Sequence, residues 1–216
     1  FGGIHEPELA YLDGVIAADG TITESMTSAG MMTSSARIYL YDRKQVFEDS
    51  IEKMVSNVII NHDVDMQRQS TEHPKFIQLS DNNKSLSSAP LAKILKDYGI
   101  TKANKISVPE FVMQGDRDTQ IAFLSGVFQF DGCITGSGPS IQLGSINEQF
   151  VHDIQLLLVN CGINSSIYHL PREVSELPDG HGGSKEYHVK DIHRIYINGK
   201  KYANMMYDLL SWSPWE

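Results

Sequence analysis

The chain contains one sixteen-residue pattern twice, at residues 8–23 and again at 120–135. Aligned at an offset of 112 residues, half of the positions are identical: Ala10, Leu12, Gly14, Val15, Asp19, Gly20, Ile22 and Thr23 recur as Ala122, Leu124, Gly126, Val127, Asp131, Gly132, Ile134 and Thr135. A duplication of this kind predicts two halves of similar structure. A chain of 216 residues is long enough for both halves to bury a core.

Each copy of the pattern predicts a helix that ends at an acidic residue. Residues 8–18 contain no Pro and one Gly, their apolar positions fall three and four apart, and the Asp-Gly that follows is a helix-stop signal. Ala10, Gly14 and Ala18 share one helix face, and the second copy has a similar stripe. Small side chains let two helix backbones approach closely, so we expect the two helices to pack side by side.

This packing would place Asp19 and Asp131 at neighbouring helix C-termini. That end of a helix dipole disfavours an anion, and two close carboxylates repel each other, so the arrangement costs stability unless a cation neutralises it. Hard divalent cations such as Mg²⁺ take oxygen ligands. The paired acids therefore predict a metal site, although a single Asp-Gly on its own would be read as a turn.

The two stretches resemble the paired signature of the LAGLIDADG homing endonucleases, here Leu12-Asp-Gly-Val-Ile-Ala-Ala-Asp-Gly20 and Leu124-Ser-Gly-Val-Phe-Gln-Phe-Asp-Gly132. The resemblance implies that Asp19 and Asp131 bind the catalytic metal, Mg²⁺ or Mn²⁺, and we group Gly20 and Gly132 with that site. The chain departs from the signature where Ala17 and Gln129 replace its first Asp, and where Phe130 replaces a small residue.

The rest of the chain repeats an order of helix, two strands, helix, two strands, helix. Ile38, Leu40, Phe47, Ile51, Ile60 and Asn61 match Ile141, Leu143, Phe150, Ile154, Ile163 and Asn164 at an offset of 103, and we match 75–80 to 193–198 at an offset of 118. The order matches the αββαββα half of the family. We therefore expect an α+β fold with a first repeat at 1–104 and a second at 105–216. The resemblance implies a saddle of two antiparallel sheets related by a pseudo-twofold, with the signature helices at the interface.

The net charge of −9 is the main objection to a nucleic-acid partner, because proteins that grip phosphates usually carry a basic surplus. The charge would have to be segregated. The stretch 181–201 fits that requirement, with five Lys or Arg and three His against two acids, although a solvated hairpin would have the same composition. The changes in offset make the hairpins of the two halves unequal, so we expect a long, asymmetric double-stranded DNA site.

Strand alternation supplies the candidate DNA contacts, because outward side chains of a β-ribbon can enter the major groove. The candidates are Arg37, Tyr39, Gln78, Gln142, Tyr168, Lys190, Arg194 and Tyr196. Lys105 begins a segment, Lys105-Ile-Ser-Val-Pro-Glu, that resembles one found in intein-borne members, and we take it as a further catalytic candidate, though a surface lysine is the simpler interpretation.

The leading hypothesis is a monomeric, metal-dependent, site-specific DNA endonuclease, either free-standing or excised from an intein. The alternative is a LAGLIDADG scaffold that binds DNA or RNA without cutting, as a maturase or regulator; a protein-interaction module would leave the paired acids unexplained. The absence of a signal sequence, of a membrane-length apolar run and of a cysteine framework predicts an intracellular protein of the cytoplasm, nucleoid or organelle matrix. Phe1-Gly-Gly is expected to be a cut end, and without the terminal residues of a splicing element we expect no self-splicing by this chain.

Overall fold

A computed structural model describes residues 3–26, 28, 30–63, 74–101, 105–135, 140–172, 175–178, 183–187 and 189–211. The first half is built from helix α1 (Pro7–Asp19), strands β1 (Gly20–Met26) and β2 (Met32–Tyr41), a 3₁₀ helix (Asp42–Phe47), helix α2 (Glu48–Asn61), strands β3 (Ile77–Ser80) and β4 (Asn83–Ser88), and helix α3 (Ala89–Asp97). This order is the predicted αββαββα, with the 3₁₀ turn added before α2.

The second half follows the same plan after a short helix α4 (Glu110–Met113). It comprises α5 (Arg117–Asp131), β5 (Cys133–Thr135), β6 (Ser140–Ser145), α6 (Glu148–Asn160), β7 (Ser166–Leu170), β8 (Ser175–Pro178), β9 (Ser184–Tyr187), β10 (Ile192–Asn198) and α7 (Lys200–Leu210). Strands β8 and β9 form a separate two-stranded hairpin between β7 and β10. The α+β class and the two antiparallel four-stranded sheets are confirmed.

The two large sheets have equivalent strand orders, β1-β2-β4-β3 and β5-β6-β10-β7. Alternation explains which side of the sheet is covered: on β2, Ile38 and Leu40 are fully buried, whereas Arg37 and Tyr41, which flank them, are exposed. One face of each sheet therefore packs into the core, and the other carries the polar side chains.

One of our strand matches was wrong. β10 pairs with β6 and β7, just as β4 pairs with β2 and β3, so β10 is the counterpart of β4. We had matched 193–198, which lies in β10, to 75–80, which contains β3. The error arose because strands with the same alternation of apolar residues cannot be told apart from sequence alone. The extra length of the second half lies between β7 and β10, where the β8–β9 hairpin is inserted.

The chain divides into two compact units. One consists of residues 1–104, 109–131 and 208–216, so it contains both signature helices; the other consists of 105–108 and 132–207. The division into repeats at 104 and 105 falls beside residues 102–104, which are outside the described part of the chain, and it stays a prediction.

Candidate active site and nucleic-acid interface

The two signature helices meet at their glycines. A Cβ built on Gly14 would lie 2.5 Å from the carbonyl oxygen of Phe123 and 3.2 Å from the Cα of Gly126. A Cβ on Gly126 would in turn strike the carbonyl oxygen of Tyr11. Because a side chain at either position would collide with backbone, glycine is what allows α1 and α5 to approach this closely. The close helix packing that the small-residue stripe predicted is present in the structure.

The closely packed helices end at Asp19 and Asp131, the last residues of α1 and α5. Asp19 is partly buried, with 18% of its side chain exposed, and Asp131 is exposed. Gly20 is the first residue of β1 and Gly132 lies between α5 and β5, and both are half-buried. Asp19 is thus followed directly by a strand, whereas Gly132 separates Asp131 from β5.

Lys44 connects the ends of the two signature helices. Its Nζ donates to Oδ2 of Asp19 and, at 2.6 Å, to the main-chain carbonyl oxygen of Phe130. The same ammonium lies 5.6 Å from the centre of the Phe130 ring, which is buried and packs against Phe47 at 5.4 Å between ring centres. Phe130 therefore fits beside the 3₁₀ helix that carries Lys44. Lys44 was missed by the sequence analysis.

Lys105 is placed in the other compact unit from Asp19 and Asp131. Its main-chain carbonyl oxygen accepts a hydrogen bond of 2.5 Å from Nδ2 of Asn147. Asn147 is the residue that matches Lys44 at the offset of 103, so only the first repeat has a lysine at this position. No sequence signal singles out Lys44, because its partners Asp19 and Phe130 are distant along the chain.

Two polar residues of the second signature have structural roles. Ser125 Oγ donates to the carbonyl oxygen of Leu209 at 2.9 Å, and Gln129 Nε2 donates to that of Leu210 at 2.6 Å. These carbonyl groups belong to the last turn of α7. The carbonyl oxygens of a last turn have no hydrogen-bond donor within their own helix. Gln129 Oε1 also accepts a hydrogen bond of 2.7 Å from the Tyr11 hydroxyl, which ties α1 to the same turn.

Asp13, the counterpart of Ser125 in the first signature, is a buried acid. Its side chain is 4% exposed, and Oδ2 has no hydrogen-bond partner among the described residues. Burial raises the pKa of the Asp13 carboxyl to about 7, because desolvation disfavours the charged form. Asp13 therefore binds its proton far more tightly than an exposed aspartate does.

The open face of the first sheet carries Arg37 and Tyr39. Arg37 is opposite Thr21 and Ser87, and Tyr39 is opposite Ser85, so these side chains point the same way. Gln78 does not share this face.

Gln78 is opposite Lys84, and Lys84 is opposite the buried Leu40. Because paired residues point to the same side of a sheet, the Gln78 side chain lies on the helix side, at the sheet edge. The bulge in β3 just after Gln78 is part of this edge.

The open face of the second sheet brings four candidates together. Arg194 is opposite Tyr168, and Tyr196 is opposite Gln142. The rings of Tyr168 and Tyr196 meet edge to face at 5.4 Å, and Arg194 Nη1 donates to the Tyr196 hydroxyl at 3.3 Å. Lys190 is exposed just before β10.

Carboxylates are nearly absent from these two sheets. Acidic residues are 27 of 216, so about six would be expected in the 48 residues of the eight strands, whereas Glu24 is the only one. Glu24 is opposite Ser34 on the helix side, and it forms an ion pair of 3.0 Å with Lys96 of α3. The described strands therefore place no carboxylate on either open face.

One group of three in the described residues has the spacing of metal ligands: His5, Asp116 and Asp118, at the N-terminal ends of α1 and α5. His5 Nδ1 lies 2.5 Å from Asp116 Oδ2, and this partner raises the pKa of His5 and helps to lower that of Asp116. The group is at the opposite helix ends from Asp19 and Asp131. None of the helices in the described ranges is long and apolar enough to cross a membrane.

Comparison with known proteins identifies the fold. Residues 118–205 match the sequence model of the LAGLIDADG-like domain. The two antiparallel four-stranded sheets and the paired signature helices are those of the LAGLIDADG fold. Among solved structures it is similar to the homing endonuclease I-DmoI in complex with DNA and Ca, with a TM-score of 0.66 and 16% identity over 95% of this chain and 90% of that one. It is also similar to I-DmoI in complex with DNA and Mn, with a TM-score of 0.62 and 15% identity over 95% and 97%.

Sequence relatives are parts of much longer proteins. The chain is 38% identical over its full length to a segment of the ribonucleoside-diphosphate reductase NrdEB subunit alpha of Bacillus subtilis, and spans about a fifth of that protein. Shorter matches cover 46% of the chain in a glutamine–fructose-6-phosphate aminotransferase of Methanocaldococcus jannaschii, at 28% identity, and 36% of it in a probable translation initiation factor IF-2 of Thermococcus kodakarensis, at 34% identity. These segments are 8% and 7% of the respective proteins.

Proposed function

We propose that the chain is a divalent-metal-dependent, site-specific DNA endonuclease of the homing type. The observation that carries the proposal is the junction of the two signature helices, where the glycine crossing fixes α1 and α5 and Lys44 bridges Asp19 to the last turn of α5. A site built in this way has closely packed helices as supports and a cation of its own on Asp19.

The donor set fits a hard divalent cation. Asp19 and Asp131 offer carboxylate oxygens, which Mg²⁺ and Mn²⁺ prefer, and neither side chain is fully buried. A divalent ion held by these acids would supply positive charge to a phosphodiester and would acidify the attacking water. Lys44 adds a second positive charge, which stabilises the negative charge that develops on the phosphate, and Asp19 orients it.

Double-stranded DNA is the partner that suits the open sheet faces. A carboxylate-free face does not repel phosphates, and β-strands can enter the major groove. We assign DNA contact to Arg37 and Tyr39 on the first sheet. On the second sheet we assign it to the group that consists of Gln142, Tyr168, Lys190, Arg194 and Tyr196. The unequal hairpins and the differing chemistry of the two faces favour an asymmetric target.

The distribution of relatives favours an inserted element. A reductase, an aminotransferase and a translation factor have unrelated activities, yet each contains a segment similar to this chain. A segment shared by proteins with such different activities is what an insertion into each of their genes would leave. We infer that the chain is an intein-type insertion whose nuclease cuts the uninterrupted host gene.

A second function is favoured by one contact. Because Lys44 already neutralises Asp19, the acid has a partner without any metal, which suits a scaffold that binds DNA but does not cut it.

The test uses a supercoiled plasmid that carries the reductase gene joined across the insertion point, incubated with Mg²⁺. The nuclease proposal expects linear product with the wild type and none with Asp19→Asn or Asp131→Asn. Asp49→Asn makes the same change at an exposed position of α2 and should cut normally. Specific binding of this plasmid by the wild type without cleavage would instead support the non-cutting scaffold.

A further inference from the structure

The open face of the first sheet contains one arginine among uncharged side chains. Arg37 is exposed in the middle of β2, between Thr21 on β1 and Ser87 on β4. Its neighbours along the same face of β2 are Ser35 and Tyr39. Arg37 is the only charged side chain that the four strands place on this face. It is also the longest side chain in its row.

No described residue forms a hydrogen bond or an ion pair with the Arg37 guanidinium. The contrast with Arg194 is direct, since Arg194 donates to Tyr196 on its own face. All five N–H donors of Arg37 thus remain available to a molecule that approaches the sheet.

The hydroxyl groups around Arg37 discriminate less between DNA bases than an arginine does. Ser35 and Ser87 are hydrogen-bonded to each other at 2.7 Å, and farther along the hairpin Ser25 and Thr33 are paired at 3.0 Å. A hydroxyl both donates and accepts, so it can bind more than one base, whereas the planar fork of arginine matches the two acceptors of guanine in the major groove. The face therefore contains one selective group among permissive ones.

We propose that Arg37 is the guanine-reading residue of the first repeat, and that the distal hydroxyl part of the β1–β2 hairpin tolerates several bases. This inference rests on the proposed DNA-binding function. Arg37 is opposite Thr21, two residues beyond Asp19. At about 3.3 Å per strand residue and 3.4 Å per base pair, the guanine lies within a few base pairs of the cleaved bond, and the permissive positions lie farther out.

The experiment selects bound sequences from a randomised double-stranded DNA library, with Ca²⁺ present, and compares the wild type with Arg37→Ala and Arg37→Lys. The wild type should enrich one strong G·C position near the centre of the site. Arg37→Ala should lose that preference, with roughly 5- to 150-fold weaker binding to the selected sequence, and leave the other preferred positions unchanged. Arg37→Lys keeps the charge but lacks the fork, so it should also lose the preference while retaining more affinity.

Arg117→Ala is the matched control, because Arg117 is exposed at the first turn of α5, at the opposite end of that helix from Asp131. The inference is overturned if Arg37→Ala and Arg37→Lys retain the G·C preference. It is also overturned if Arg37→Ala weakens binding to every sequence equally and lowers the slope of log affinity against log salt concentration by about one, as loss of a phosphate contact would. Failure of the wild type to bind or enrich any sequence would overturn the proposed function as well. Thermal melts of each variant identify a loss of folding.

Discussion

Lys44 is the residue that changes the interpretation of the signature most. The paired acids led us to expect that a metal ion neutralises them, and the structure adds a protein ammonium on Asp19 and on the Phe130 carbonyl. Such an ammonium offsets the unfavourable charge at the ends of two helices before any metal binds. It also supplies a positive charge where hydrolysis of a phosphodiester would need one.

Replacing Lys44 by methionine should therefore lower cleavage much more than DNA binding. We expect a loss of about 10²- to 10³-fold in the single-turnover rate, the magnitude typical for removal of one group that stabilises transition-state charge. The measurement is plasmid cleavage with Mg²⁺ beside an equilibrium binding titration. Lys93→Met, at an exposed position of α3, should leave both unchanged. Equal losses of rate and affinity in Lys44→Met would show that Lys44 only binds DNA.

Asp13 gives the stability of the protein a specific pH dependence. The pKa of its carboxyl is about 7 in the folded chain, against 3.8 when exposed. Between these values the unfolded chain loses the proton while the folded chain retains it, so stability should fall as pH rises from about 4 to about 7 and level off above that. The loss attributable to Asp13 is on the order of 4 kcal/mol at most.

The measurement is the free energy of unfolding by urea at pH 5 and pH 8. Asp13→Asn should reduce this difference, and Asp13→Ser, which installs the residue of the second signature, should do the same. Asp49→Asn, which alters an exposed carboxyl, serves as the control. An unchanged pH dependence in both Asp13 variants would contradict the raised pKa.

Among the elements, the signature helices depend most on single positions. Gly14→Ala and Gly126→Ala would each force a methyl group into the backbone of the other helix, and we expect about 3 kcal/mol of destabilisation, at the upper end for overpacking. Gly144→Ala is the matched control, because the nearest atom to its Cβ would be 3.5 Å away, an ordinary contact. Urea unfolding of the three variants measures the difference, and a similar small cost at all three sites would contradict the close crossing.

The elements also show what could be predicted from sequence. The signature helices and the inward pattern of β2 follow from periodicities of three to four and of two, which are local. The matching of β3 to β10 failed because both strands have the same alternation, and only the pairing partners distinguish them. Lys44 was out of reach for a different reason, since its contact with Asp19 joins residues 25 positions apart through the path of the β1–β2 hairpin.

For the molecule as a whole, net charge is a poor guide to partners. A value of −9 argues against nucleic acid, but the acidic residues avoid the two large sheets, and Glu24, the exception, faces the helices. The sequence contains this segregation, yet it becomes visible only when the strands and their faces are known. Electrostatic attraction is set by the local surface that meets the DNA.

Introducing one acid on the open face should therefore weaken DNA binding out of proportion to the change in net charge. We expect Thr23→Glu to reduce affinity for the wild type's selected DNA about tenfold or more at low salt, with a smaller effect at high salt, where screening is stronger. Ser50→Glu adds the same charge in the first turn of α2 and should have little effect. Equal effects of the two variants would show that net charge, and not its location, controls binding.

The central claim is that Asp19 and Asp131 form one divalent-metal site at the junction of the signature helices. Its most direct test is a titration of the protein–DNA complex with Mn²⁺, followed by electron paramagnetic resonance, for the wild type and three variants. We predict that Asp19→Asn and Asp131→Asn both lose Mn²⁺ binding and that Asp116→Asn, in the group with His5, retains it. Retention of Mn²⁺ by Asp19→Asn together with its loss in Asp116→Asn would contradict the account.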